Sequence, residues 1–80
     1  MKANINNIRE NACQLLSFYR SMYNACHNNL ITVNNDVIDN MYNHYLMIRG
    51  LYNCELISTD TINRSYYMYS TIKFMKRGDN

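Results

Sequence analysis

Three cysteines and two histidines are the side chains in this chain best suited to hold a metal or attack a substrate, and their spacing argues against both. Cys13, Cys26 and Cys54 include no Cys-x-x-Cys pair, and the order Cys26, His27, His44, Cys54 lacks the short ligand pairs of zinc folds. No metal site and no cofactor are expected. A cysteine nucleophile activated by His27 or His44 would need a third group to orient the base, and 80 residues leave little room for a substrate cleft. The acids Glu10, Asp36, Asp39, Glu55, Asp60 and Asp79 are each accounted for by caps, first helical turns, solvated faces or a chain end. A Gly-rich phosphate loop, HExxH, GxSxG and calcium-loop spacing are all missing. The expectation is a protein that is not an enzyme. The odd cysteine count, without an export signal, predicts reduced thiols packed in a core.

The C-terminal segment carries the clearest binding signal. Residues 61–78 contain Arg64, Lys73, Lys76 and Arg77, no acid and three tyrosines, a local charge of +4. On a helix at about 100° per residue, Tyr66, Tyr69, Lys73, Lys76 and Arg77 fall within about 100° of one another, while Met68, Ile72 and Met75 form a separate apolar stripe. These five are the candidate partner-binding residues. Tyrosines beside basic groups stack on bases and neutralise phosphates, and tyrosine and arginine are equally the residues of protein interface hot spots. The competing reading places Ile62, Tyr66 and Tyr69 in the core and leaves the lysines to solvate the helix end.

A helix-turn-helix is the specific nucleic-acid motif to test against Ser58–Arg64. If Ile62 took the buried position of a recognition helix, a turn glycine and a small residue would be needed upstream, where Leu56 and Tyr52 stand. The standard motif fails, and a looser helical nucleic-acid binder remains as an alternative.

Helices must position these residues, and apolar spacing supplies them. Ile5, Ile8, Ala12, Leu15, Tyr19, Met22 and Cys26 alternate by threes and fours, a heptad seam widened by Leu16, Phe18, Tyr23 and Ala25. Asn4 is placed to cap its start, with Asn28 and Asn29 at its end. Asn34, Asn35 and Asp36 open a second helix with the seam Ile38, Met41, Tyr45, Ile48 and Tyr52. Gly50 suits a left-handed cap that would stop this helix near Arg49, with a run through to Cys54, at about 1 kcal/mol for the glycine, as the alternative. Ser58, Thr59 and Asp60 cap a third helix ending on cations. The expected architecture is an all-α, small three-helix bundle with helices near 4–28, 35–49 and 59–77, and with residues 1–80 forming a single helical domain. An α+β alternative with a short strand or hairpin over 64–75 follows from Tyr66, Tyr67, Tyr69, Thr71, Ile72 and Phe74.

Composition bounds the class. With 48% hydrophobic and 18% charged residues the chain has material for a core, and a formal charge of +2 falls short of announcing a nucleic-acid binder. No apolar run approaches the ~20 residues of a membrane span and none resembles a secretory signal, so a cytoplasmic protein without a membrane partner is expected. The 14 Asn, 8 Tyr and 8 Ile against 3 Ala, 2 Gly and no Pro follow AT-rich codon usage. That skew points to an AT-rich genome, its phages or mobile elements. The functional expectation is a small non-enzymatic interaction protein, a phage or mobile-element accessory that binds and inhibits or regulates a larger host protein or complex. A nucleic-acid-binding regulator using the basic, tyrosine-rich face is the first alternative, and a structural homo-oligomer, such as a homodimer completing its apolar seams, is the second.

Overall fold

Polar residues just outside the apolar seams open the second and third helices and close the first and second in the computed structural model, which describes residues 5–78 and the side-chain surroundings of residues 7–75. Asn4, expected as a cap, lies outside the described residues, as do the side chains of Ile5, Lys76 and Arg77. The elements are α1 (Ile5–His27), α2 (Asn35–Asn53) and α3 (Thr59–Gly78), all packed on one another as an all-α three-helix bundle. No strand occurs among the described residues. The strand or hairpin over 64–75 is therefore overturned: Tyr66 to Phe74 are helical, because the Ser58 cap and burial of Ile62 and Ile72 on one helical stripe outweigh β-propensity.

The caps follow the chemistry of their side chains. Asn34 Oδ1 accepts the Val37 amide at 3.0 Å and opens α2, with Asp36 in its first turn. Ser58 Oγ accepts the Thr61 amide at 3.2 Å and opens α3, while the Ile62 amide donates to the Ser58 carbonyl. At the end of α1, Asn29 adopts φ 60°. There the Leu30 amide donates to the Ala25 carbonyl at 2.8 Å and the Asn29 amide to the Cys26 carbonyl at 3.1 Å. These two bonds form a Schellman motif with asparagine at the left-handed position.

The end of α2 departs from expectation. The helix does not stop near Arg49 but runs through Gly50 to Asn53, and Gly50 has no positive φ. The left-handed residue is instead Glu55 at φ 62°, whose amide donates to the Tyr52 carbonyl while the Leu56 amide donates to the Leu51 carbonyl, both at 2.9 Å. Running on keeps Leu51 half-buried and brings Ile57 against the core. A helix ending at Arg49 would leave residues 50–57 as a long connection with unbonded backbone groups.

The core is the seam of each helix turned inward. Ala12, Tyr19 and Cys26 of α1, Met41, Tyr45 and Ile48 of α2, and Ile62 and Ile72 of α3 are buried, with Val33 from the connector sealing one part. Tyr52, expected in the seam of α2, is exposed in the last turn, where its hydroxyl lies 3.3 Å from Thr59 Oγ1. Phe18 is also exposed, its ring 5.2 Å from that of His44. The molecule measures 48 × 21 × 17 Å. With helices 10–12 Å across, that section holds about one layer of core side chains, so binding must take place on the surface or in grooves.

Candidate functional site

Two Tyr-x-x-Tyr pairs, one on α2 and one on α3, meet where these helices pack. Tyr42 and Tyr45 are three apart, as are Tyr66 and Tyr69, and residues at that spacing share a helix face. Tyr45 stacks on Tyr69 with centroids 6.3 Å apart and planes 13° from parallel. Tyr42 tilts against Tyr69 at 5.4 Å, Tyr66 against Tyr45 at 5.5 Å, and Tyr66 against Tyr69 at 6.4 Å. All these separations fall in the range where aromatic pairs attract beyond their area burial. Lys73, one turn beyond Tyr69, sets its Nζ 5.9 Å from the Tyr69 ring centroid, a cation–π contact.

The cluster has an inside and an outside. Tyr45 is buried and Tyr69 half-buried against the core, whereas Tyr66 is 55% and Tyr42 44% exposed. The inner pair anchors the array to the bundle and the outer pair presents ring faces, edges and phenol groups to the surroundings. Of the five residues expected on this face, the structure brings Tyr66, Tyr69 and Lys73 together; the side chains of Lys76 and Arg77 lie outside the described residues. The competing reading holds for Ile62 and partly for Tyr69, and fails for Tyr66. Sequence reasoning missed Tyr42 altogether and treated Tyr45 as seam only. The repeated Tyr-x-x-Tyr spacing on two neighbouring helices was the available signal.

Elsewhere the titratable groups are dispersed. Among the described residues no group of three or more His, Cys, Asp or Glu is placed to hold a metal ion. Cys26 is buried, and burial pushes its thiol above the ordinary value, away from the reactive thiolate. Cys13 and Cys54 are exposed, contrary to the expectation of buried packing. Cys13 sits one residue past buried Ala12 and is turned about 100° from it, and Cys54 is the cap residue beyond α2. His27 is exposed and stacks on Tyr23, while half-buried His44 holds its Nδ1 2.7 Å from the Asn40 carbonyl. Among the described residues no helix is long and apolar enough to cross a membrane.

Fold and site together define an all-α three-helix protein with a partly exposed tyrosine cluster between two of its helices. No family model, curated protein or solved structure matches the chain.

Proposed function

We propose that this is a small, non-enzymatic interaction protein that uses the tyrosine cluster to bind a larger host protein and thereby inhibits or regulates it. The observation carrying this reading is the pairing of exposed Tyr42 and Tyr66 with the inner Tyr45 and Tyr69. Exposed rings leave apolar area in water, and covering them releases that area. Because neighbouring rings already hold the outer pair, binding would immobilise few additional rotors. Lys73 beside Tyr69 favours a partner surface with an acidic rim. The AT-rich codon usage supports a phage or mobile-element accessory acting in the cytoplasm of its host.

The test uses Tyr42→Ser with Tyr66→Ser, two exposed positions whose loss leaves the core intact. Circular dichroism should match the parent, and affinity for a partner captured from host lysate and then purified should fall more than about tenfold. Lys73→Ala should cost less, because a rim cation is hydrated and screened. Undiminished affinity of the folded double variant would refute the reading. Binding carried by nucleic acid and falling steeply with salt would replace it with the nucleic-acid alternative.

A further inference from the structure

We infer that the groove between α1 and α3 is an oxyanion site that takes a phosphate group between Arg20 and Arg64. The groove has a volume of about 140 Å³, room for roughly four or five waters, which suits the five heavy atoms of a phosphate. Arg20 comes from α1 and Arg64 from α3, and both are among the residues that line this one small groove. Cationic side chains that share a groove repel as they approach, and an anion held between them would relieve that repulsion. Each guanidinium offers a planar fork of N–H donors matched to phosphate geometry.

The groove floor leaves that task to the arginines. Tyr19 donates its hydroxyl to the Ser65 carbonyl at 2.7 Å, and Ser65 Oγ donates to the Thr61 carbonyl at 2.9 Å, so both floor protons are turned into the bundle. Arg64 pairs with Asp60, whose Oδ2 lies 3.1 Å from the Arg64 Nε. Both side chains of that pair are more than two-thirds exposed, so the bridge is weak and a dianion competes with it readily. Arg20 forms no salt bridge among the described residues. A neighbouring groove that shares Leu16 and Thr61 carries Arg9 on the same face of α1, which extends the positive field along the approach. Arg64 and Lys73 are nine residues apart, about 180° around α3, so this site stands apart from the tyrosine cluster and does not rest on its proposed role.

Phosphorus NMR and thermal melting with inorganic phosphate and with phenyl phosphate, against chloride at matched ionic strength, test the inference. A saturable complex and a rise in melting temperature are expected with phosphate and not with chloride. Arg20→Gln and Arg64→Gln should each weaken binding about tenfold or more, Lys73→Gln should leave it unchanged, and Asp60→Asn should tighten it by freeing Arg64. Equal affinity for both ligands would identify the free phosphate ion as sufficient, and tighter phenyl phosphate would identify a phosphoryl group carried on a larger molecule. The inference is overturned if chloride reproduces the effect, if phosphate does not saturate by tens of millimolar, or if the folded arginine variants and Asp60→Asn bind like the parent.

Discussion

The two flanks of α3 use tyrosine in opposite ways. Toward α1, Tyr19 is 1% exposed and its hydroxyl is bonded to the Ser65 carbonyl in the second turn of α3. Ser65 is small and buried beneath it, which lets the ring reach the helix backbone. Toward α2, Tyr66 keeps its ring largely outside and packs against the rings of Tyr45 and Tyr69. A buried phenol needs a partner for its hydroxyl or its desolvation is uncompensated, so Tyr19 belongs to the core only because α3 offers it a carbonyl. On these two flanks the bonded hydroxyl of Tyr19 sets it apart from Tyr66, whose ring stays available for recognition.

The largest effect that would sharpen this contrast is Tyr19→Ala, which should destabilise the bundle by about 3–5 kcal/mol in urea unfolding. A domain of this size has only about 4–12 kcal/mol in hand, so the variant should lose a large share of its stability. Tyr69→Ala removes a half-buried ring from the other flank and should cost about 2 kcal/mol. Equal losses at the two positions would break the distinction between the flanks.

Tyr19→Phe isolates the hydroxyl and should cost about 1 kcal/mol. Burial pushes the Tyr19 phenol well above its ordinary value near 10, with the nearby Tyr45 adding to the rise. The unfolded chain then releases this proton first as pH climbs past 10, so the contribution of Tyr19 is fully present below that pH and declines above it. Stability measured from pH 8 to 11.5 should fall more steeply in the parent than in Tyr19→Phe. Parallel curves would mean that the hydroxyl is not desolvated.

Much of this arrangement was legible in the sequence, and the exceptions share a cause. The seam through Ala12, Tyr19 and Cys26 and the caps at Asn34 and Ser58 are local signals, readable from spacing and side-chain chemistry alone. Tyr42 is marked on α2 only by its Tyr-x-x-Tyr spacing to Tyr45, a weak signal on its own, and its role arises only where α3 lies alongside. The end of α2 lies beyond the reach of local rules, which favour Gly50 for a left-handed cap, whereas Glu55 takes that conformation and Ile57 packs against the core. Two substitutions check this account. A Cβ at Gly50 would meet no atom within 4 Å, so Gly50→Ala should stabilise the helix by about 1 kcal/mol. Glu55→Gly should gain somewhat less, about 0.5 kcal/mol, since relief of the left-handed strain is partly offset by glycine's freedom in the unfolded chain.

The smallest effect expected on stability is at the most exposed ring of the cluster. Tyr66 makes tilted contacts at 5.5 Å to Tyr45 and 6.4 Å to Tyr69, and each such pair contributes at the low end of about 0.5–1.5 kcal/mol when water reaches one face. Alanine returns part of that through its higher helix propensity, about 0.5 kcal/mol. Tyr66→Ala should therefore change unfolding free energy by no more than about 0.5 kcal/mol, measured beside Tyr69→Ala in the same denaturant series. A loss near 2 kcal/mol would make Tyr66 a structural ring like Tyr19 and erase the outer layer of the cluster. A near-neutral result would instead leave its ring orientation dependent on the inner pair, since Tyr66 would then contribute little to the fold that holds it in place.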